Sequence, residues 1–404
     1  MEENTNEKTI DLKKKLDENK KKKIFYAAAC ASVLLIILLI LFATGTHNKI
    51  LNFFGIETNE SLMANGISVS FTPTGDYVMS ACKDTIIICD ENGVTGYDEN
   101  GVWKWNHGAK YVSPVITSYD DFALVYDSES KCAAVFNSSG FVWSRTFENT
   151  VRGAVAHRGT DFISVICDSE DYNTELIIVD YSEDSKDIFQ GKFVDEYIIT
   201  SAISPDRTQF ALSGMYYEGD KTVGVIMFFR MSDGEIYSTE VFDGIYPYIE
   251  YSDSSTLIAA NSDSLKALVK KPTIETKSDS VKDIWNRNSS ADILLNIDVI
   301  SDVGICAAFG NSDITSELSS VTFYGPDGNS EKKYEYKERI CVIRSNEKEF
   351  AVCSGNAVRL FGSNFNMKGE YTSLSDAIQA DFLNANKLLI QMESRIMLVE
   401  FTPE

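Results

Sequence analysis

The chain has 404 residues, with 37 lysine and arginine residues against 60 aspartate and glutamate residues and a formal net charge of −23. Such an acidic chain lacks the basic surface that nucleic-acid phosphates require, which argues against a nucleic-acid partner. Its three histidines are scattered and form no zinc-binding pattern, so the sequence predicts no histidine-built metal site.

An uncharged apolar segment, Ile24–Thr44, directly follows four consecutive lysines, Lys20–Lys23. At about 1.5 Å per residue, a helix of this length spans roughly the 30 Å hydrocarbon core of a bilayer. A cleaved signal peptide would have a shorter apolar core with small residues after it, whereas Ala27–Ala29 stand at the start of this run. The segment is therefore predicted to be an uncleaved transmembrane helix.

The charge around the apolar segment predicts its orientation. Residues 1–23 contain eight lysines, whereas the stretch just after Thr44 contains only Lys49. Because basic residues are retained on the cytoplasmic side, residues 1–23 are predicted to be a cytoplasmic tail at the cell membrane, and the bulk of the chain to be extracytoplasmic. Residues 45–65 would form a short external tether.

Residues 66–404 consist of short apolar runs separated by turns rich in Gly, Asp, Asn and Ser, a pattern typical of strands. One recurring strand begins with an apolar residue after a polar turn, as in DFALVYDS, DFISVICDS and EFAVCSG. Its lead residues stand at positions 86, 122, 162, 210, 257, 305, 350 and 388, at intervals of 36 to 48 residues. This period matches the four-stranded blade of a β-propeller.

The predicted fold is accordingly all-β: an eight-bladed propeller of four-stranded antiparallel blades, preceded by the transmembrane helix. Seven blades are the alternative if the weaker fifth unit, residues 271–288, is miscounted. The last unit supplies three strands, and Gly66–Phe71 is predicted to supply its outer strand. Such pairing would close the ring and protect the edges of its sheets.

A second repeat occurs at the turn before the outer strand, in YDENGVWKW from Tyr97, FNSSGFVW from Phe136 and RMSDGEIY from Arg230. Glycine permits the tight turn, and a large aromatic ring can fill the wedge between two blades. The aromatic residues predicted to dock one blade against the next are Trp103, Trp105, Trp143 and Tyr237.

These turns resemble the x-D-x-x-G-x-x-W repeats of quinoprotein-like propellers, and the turn SPDRTQ resembles those of WD40-like repeats. The tail, helix and acidic propeller together resemble an uncharacterised family of bacterial membrane-anchored β-propellers, which brings no known activity. Quinoprotein dehydrogenases would imply a disulfide between adjacent cysteines beside the cofactor. The sequence contains no Cys-Cys pair, so no cofactor is expected.

Seven cysteines follow the apolar segment, an odd number that leaves at least one thiol unpaired. A hairpin that turns at Glu347 would bring Cys341 and Cys353 face to face, so a disulfide between these two is one hypothesis. The other is that they are free thiols acting as small apolar residues within strands.

The sequence contains no GxSxG motif and no glycine-rich phosphate loop. Asp206 and Asp253, in corresponding turns after inner strands, are interpreted as turn residues rather than catalysts. The leading hypothesis is a binding or scaffolding module that presents a rigid surface to a protein or cell-wall partner. The alternative is an envelope enzyme, quinoprotein-like or hydrolytic, with carboxylates in the central channel.

Overall fold

The structure is a computed structural model that describes residues 62–69, 77–119, 121–182, 186–272, 280–287, 292–313, 318–326, 328–392 and 395–403. Within these residues the regular elements are β-strands, and no helix is long and apolar enough to cross a membrane. The predicted cytoplasmic tail, the predicted transmembrane helix and most of the predicted tether lie outside the described residues.

Within the described residues, thirty-two strands form eight antiparallel sheets of four strands each, which are the blades of a β-propeller. The strands of the first four blades are β2 (Tyr77–Cys82), β3 (Thr85–Asp90), β4 (Gly93–Tyr97) and β5 (Trp103–Gly108) in blade 1; β6 (Pro114–Tyr119), β7 (Phe122–Asp127), β8 (Cys132–Asn137) and β9 (Gly140–Thr146) in blade 2; β10 (Val151–Ala156), β11 (Phe162–Cys167), β12 (Thr174–Asp180) and β13 (Lys186–Phe193) in blade 3; and β14 (Tyr197–Ile203), β15 (Gln209–Glu218), β16 (Lys221–Arg230) and β17 (Ile236–Phe242) in blade 4. Those of the last four are β18 (Tyr248–Tyr251), β19 (Thr256–Asn261), β20 (Ser264–Val269) and β21 (Ser280–Asn286) in blade 5; β22 (Asp292–Ile300), β23 (Gly304–Asn311), β24 (Ser319–Tyr324) and β25 (Ser330–Tyr336) in blade 6; β26 (Ile340–Ser345), β27 (Phe350–Ser354), β28 (Ala357–Phe361) and β29 (Met367–Thr372) in blade 7; and β30 (Ala377–Asn384), β31 (Lys387–Met392), β32 (Ile396–Pro403) and β1 (Leu62–Ser68) in blade 8.

The position of a strand within its blade determines how it is buried. Second strands lie between two partners and under neighbouring blades, so β11 (FISVIC) is buried at every residue. Outer strands have one free edge, and β5 (WKWNHG) has no buried residue. Continuous apolar runs therefore become second strands, and all eight predicted lead positions fall on the first or second residue of such a strand.

Among the described side chains, eight apolar clusters fill the joints between neighbouring blades. The cluster between blades 8 and 1, for example, joins Met79 and Ile86 of blade 1 to Leu389 and Leu398 of blade 8. The hydrophobic core is thus a ring of joints rather than one central mass. Each blade depends on its two neighbours to cover its apolar faces.

The ring is closed where the two ends of the described chain meet in blade 8. Strand β1 pairs antiparallel with β32, in a register that runs from Leu62–Pro403 to Ser68–Met397. Closer to the channel, the Ala81 backbone N–H of blade 1 donates to Asp381 Oδ2 of blade 8 at 3.0 Å. Blade 8 is therefore attached to blade 1 both by the chain itself and by hydrogen bonds between inner strands.

The eight-bladed prediction is confirmed, and the seven-bladed alternative is wrong because the fifth unit forms a complete sheet that ends in β21. The closing strand lies at Leu62–Ser68 rather than at the predicted Gly66–Phe71. In this register Leu62 and Ala64 pack against the apolar cluster between blades 7 and 8. Burial of these two side chains accounts for the earlier start.

Connections between strands fall on two faces, because the chain crosses the ring four times in each blade. The turn face carries the first-to-second and third-to-fourth connections, for example residues 157–161 and 231–235. The linker face carries the second-to-third turns and the blade-to-blade connections, for example residues 194–196 and 373–376. The two faces therefore present different residues to solvent.

A one-residue bulge recurs near the start of the outer strand in blades 1 to 4, 6 and 7, whereas the bulge of blade 5 lies near the end of its outer strand. In blades 1 and 2 a tryptophan follows the bulge and reaches the next blade. Trp105 stacks on Phe136 of blade 2 with ring centroids 5.8 Å apart, and its indole N–H donates to Ser138 O at 3.2 Å. Trp143 is buried in the cluster between blades 2 and 3.

Two further aromatic residues that directly follow a bulge were missed by the sequence analysis. Phe189 of blade 3 contacts Phe210 of blade 4, with centroids 4.9 Å apart, and Trp285 of blade 5 contacts Phe309 of blade 6 at 4.8 Å. Neither residue follows a D-x-x-G turn, so only its position directly after a bulge could have found it. In blade 4 the bulge residue itself, Tyr237, packs into the joint with blade 5.

Gly96 on β4 lets the Trp105 indole lie against the backbone, because a Cβ atom at Gly96 would overlap the ring. We expect Gly96→Ala to push Trp105 out of the joint and to lower the free energy of unfolding by about 1–3 kcal/mol, as overpacking does. Urea unfolding measures this change. Gly108→Ala is the matched control, since no atom lies within 4 Å of its Cβ position. Equal stability of the two variants would contradict the role of Trp105 in filling the joint between blades 1 and 2.

Candidate functional site

A cavity of about 190 Å³ lies in the central channel and is lined by residues from seven of the eight blades. Its lining is largely polar, unlike the apolar joints around it. The charged side chains that line it are Arg158, Glu250, Asp298, Arg344 and Asp381. This cavity is the candidate functional site inside the ring.

Arg158 stands in the tight turn between β10 and β11. Thr160 closes this turn, because its backbone N–H and its hydroxyl donate to His157 O at 3.2 and 2.9 Å. Gly159 adopts a left-handed backbone conformation with φ of +68°. The turn projects the Arg158 side chain into the channel.

The Arg158 guanidinium links four blades. Its Nη1 donates to Val299 O of blade 6 at 2.9 Å, and its Nη2 donates to Ser345 Oγ of blade 7 at 3.1 Å. Nη2 also lies 4.0 Å from Asp298 Oδ1, and the group sits 5.1 Å from the ring centroid of Tyr119 in blade 2. Desolvation opposes the charged form, but Asp298 and the other nearby acidic groups hold the pKa of Arg158 above its ordinary value.

A second polar cluster links blades 1, 2 and 8. The hydroxyls of Ser80 and Ser118 donate to Asp381 Oδ2 at 2.5 and 2.8 Å, beside the bond from the Ala81 N–H. Asp381 Oδ1 accepts from the Phe382 N–H at 3.0 Å. The Asp381 carboxylate is thus fully occupied by protein donors, which stabilise it and hold three inner strands together.

Glu250 of β18 differs from the other channel carboxylates. It makes no hydrogen bond or ion pair with any residue that the structure describes. Burial raises the pKa of Glu250 to about 7; the positive charge of Arg158 opposes this rise and Asp298 adds to it. Near neutral pH this side chain can therefore gain or lose a proton inside the channel.

Outside the channel, the linker face exposes several large apolar side chains. They are Val112, Val194, Ile199, Tyr217, Leu318, Leu374 and Ile378. Between blades 3 and 4 a cleft on this face is lined by Asn173, Asp195, Glu196, Tyr197, Tyr216 and Tyr217. One wall of the cleft is the hairpin of β15 and β16, whose strands of ten residues are the longest in the described chain.

The aromatic residues predicted from the sequence lie away from this cavity. Trp105, Trp143 and Tyr237 are at the joints between blades, whereas Trp103 has 62% of its surface exposed. Asp206 caps a turn, since its Oδ1 accepts from the Thr208 N–H at 3.2 Å and from the Ser204 hydroxyl at 2.7 Å. Asp253 does the same in blade 5, accepting from the Thr256 N–H at 2.8 Å.

Cys341 and Cys353 are free thiols in the structure. The predicted hairpin forms between β26 and β27, but its register pairs Cys353 with Val342 and leaves Cys341 in a bulge. The Cys341 thiol donates instead to the carbonyl oxygens of Cys353 and Ala377, at 3.3 and 3.2 Å. The bulge removes the face-to-face placement on which the disulfide hypothesis rested.

The sequence profile of the Family of unknown function (DUF5711) matches residues 68–401. No curated protein sequence matches the chain. The solved C-terminal WD40 domain of Sif2 is similar, with a TM-score of 0.57 and 10% identity over 85% of this chain and 99% of that one. Sqt1 from Chaetomium thermophilum, bound to the N-terminus of the ribosomal protein L10, has a TM-score of 0.53 and 8% identity over 86% and 97%. BamB from Moraxella catarrhalis has a TM-score of 0.49 and 13% identity over 84% and 99%. At such identities the likeness to Sif2 and Sqt1 shows the propeller fold alone.

Removal of the contacts that Arg158 makes across the channel should destabilise the ring. Arg158→Met leaves the Asp298 carboxylate without its buried counter-charge, so we expect a loss of roughly 2–4 kcal/mol in the free energy of unfolding, measured by urea unfolding. The double variant with Asp298→Asn should recover part of this loss.

The matched control for Arg158→Met is Lys333→Met, which removes an exposed ion pair with Glu335. This variant should lower the free energy of unfolding by less than about 1 kcal/mol. A loss at Arg158 as small as that at Lys333 would show that the cross-channel contacts contribute little.

Proposed function

We propose that this chain, which belongs to the Family of unknown function (DUF5711), is a single-pass, membrane-anchored β-propeller that acts outside the cytoplasm as a binding module for a protein of the cell envelope. The observation that carries this proposal is the linker face, where large apolar and aromatic side chains are exposed beside carboxylates.

The membrane anchor in this proposal rests on the sequence. Ile24–Thr44 has the length and composition of a transmembrane helix, and the lysine excess before it favours a cytoplasmic N-terminus. Downstream of Lys23 the chain carries 29 basic residues against 54 acidic residues. An acidic domain of this kind is repelled by anionic lipid headgroups, which leaves its faces accessible to a partner.

The linker face has the chemistry of a protein interface. Leu374 is 90% exposed, and Val194 and Tyr217 are 66% and 58% exposed beside the cleft between blades 3 and 4. The rings of Tyr197 and Tyr217 meet edge to face, with centroids 6.0 Å apart, which makes a continuous aromatic surface. Exposed apolar groups of this kind mark interaction sites, and tyrosines frequently anchor them.

The Sqt1 propeller, which is bound to the N-terminus of a ribosomal protein, illustrates that this architecture can hold a segment of another chain. Inside the present channel, by contrast, Arg158 and Asp381 are occupied by protein partners that join the blades. These engaged groups favour a bracing role for the channel's polar residues over the catalytic role of the alternative hypothesis.

The experiment that tests this function is crosslinking of the full-length protein on intact cells, followed by mass spectrometry. We expect one reproducible partner, and we expect Val194→Ala combined with Tyr217→Ala to reduce its yield about tenfold, because aromatic anchors dominate interface energies. The matched control is Val102→Ala combined with Trp103→Ala, which removes equally exposed apolar groups elsewhere. Equal yields from the two double variants would exclude the linker face.

The side of the membrane on which the propeller lies can be tested in the same cells through Cys132, an exposed free thiol. A maleimide that does not cross membranes should label Cys132 on intact cells; because Cys341 is also exposed, the label is measured in a Cys341→Ser background, where Cys132→Ser should remove it. Labelling that appears only after cell lysis would contradict the extracytoplasmic location.

A further inference from the structure

The channel cavity contains one carboxylate that the protein leaves without a partner. Asp298 accepts the Val299 N–H at 2.8 Å and lies beside Arg158, and Asp381 accepts four protein donors. Glu250 lines the same cavity without any hydrogen bond or ion pair to the described residues. Glu250 is half-buried and feels the Arg158 charge only beyond ion-pair distance, so its ionised form is costly and this position calls for a paired cation or for a proton.

The balance of charge inside the cavity favours a positively charged ligand. Three carboxylates line it, of which only Asp298 lies beside a buried guanidinium, that of Arg158. Arg344 also lines the cavity, but it is an exposed residue. An anion would therefore meet repulsion at Glu250 and Asp381, whereas a cation could form with Glu250 the direct ion pair that Arg158 does not make.

The arrangement fits an ammonium group better than a metal ion. Within the described part of the chain, no three His, Cys, Asp or Glu side chains converge in a way that could hold a metal. An ammonium group needs only hydrogen-bond acceptors, of which it can use three. Besides Glu250, the hydroxyls of Tyr248 and Thr117 line the cavity and are buried without a hydrogen-bond partner among the described residues.

The size of the cavity limits the ligand to a small molecule. A volume of about 190 Å³ leaves room for several water molecules or for one small organic ligand. The aromatic rings of Tyr119 and Tyr248 add faces against which a cation can pack, as the Arg158 guanidinium already does on Tyr119. A short alkylamine has both the volume and the charge that this space accepts.

We propose that the channel cavity binds a small compound that carries a primary ammonium group, held by an ion pair with Glu250. This site is separate from the linker face and does not depend on the partner proposed there. The ammonium replaces the proton that otherwise neutralises the buried carboxylate, so that ligand and proton compete for the same group.

Competition with a proton gives the site a defined pH dependence. The groups that face Glu250 are Arg158, Asp298, Tyr119 and Tyr248. Arg158 stays charged, and burial raises the pKa of both tyrosines, so neither ionises near neutral pH. Below pH 7 Glu250 is protonated and must release its proton before it can pair with the ligand. Affinity should therefore be full above pH 7 and should fall, approaching tenfold per pH unit, below it.

Calorimetric titration of the full-length protein in detergent with methylammonium chloride tests the proposal. We expect saturable binding at pH 8, weaker binding at pH 6, and release of nearly one proton for each methylammonium bound at pH 6. Tetramethylammonium chloride, which has the same charge but no N–H donor, should bind at least tenfold more weakly. Equal heats from the two salts would overturn the proposal, because they would reflect ionic strength alone.

Glu250→Gln removes the charge and keeps the shape of the side chain, and it should abolish both the binding and the proton release. Glu91→Gln is the matched control, an identical change on an exposed turn, and it should bind as the wild type does. Binding by Glu250→Gln at wild-type affinity, or no binding by the wild type, would refute the site. Should Glu250→Gln fail to fold, the proton release of the wild-type protein remains the deciding measurement.

Discussion

Each blade of this propeller is a four-stranded sheet whose apolar faces are covered only by its two neighbours, and this constraint governs the rest of the structure. A sheet in such a ring cannot be stable at an open end, so the first and last blades have to meet. The chain meets this requirement by placing β1 beside β32, so that blade 8 is assembled from two distant parts of the sequence. The apolar cluster shared by blades 8 and 1 and the Asp381 hydrogen bonds reinforce the same seam.

The closed ring also explains how the polar groups of the channel find their partners. Eight inner strands bring side chains from remote parts of the sequence close together, and a charged group there is stable only if others satisfy it. Arg158 achieves this across the ring through Val299 and Ser345, which lie 141 and 187 residues away in the sequence. Glu250 is the exception, and it is this exception that points to a ligand. The linker face provides the complementary property, a rigid surface with exposed aromatic and aliphatic side chains.

Much of this fold can be predicted from the sequence because each repeat contains one buried strand, which is recognisable as an apolar run. Second strands are buried on all sides, so runs such as FISVIC stand out at a period of 36 to 48 residues and give the number of blades. Trp105 and Trp143 could be recognised as joint residues because a turn motif precedes them. Phe189 and Trp285 could not, since no turn motif precedes them and their position directly after a bulge becomes visible only once the bulges are known.

The candidate site was less accessible to sequence reasoning for a physical reason. Nothing local distinguishes Arg158 or Glu250 from other charged residues; their chemistry arises from burial in the channel and from partners on other blades. Cys341 shows how a single bulge defeats a prediction based on strand register, because one additional residue turns its thiol towards backbone carbonyls.

The central claim is that β1 closes the ring, and comparison of a chain that begins at residue 62 with one that begins at residue 69 tests it most directly. Both chains retain β2 to β32, and they differ only in the seven residues of β1. We predict a single cooperative thermal unfolding transition for the longer chain. For the shorter chain we predict a lower unfolding temperature and aggregation through the exposed edge of β32. Identical transitions and equal solubility for the two chains would contradict closure by β1.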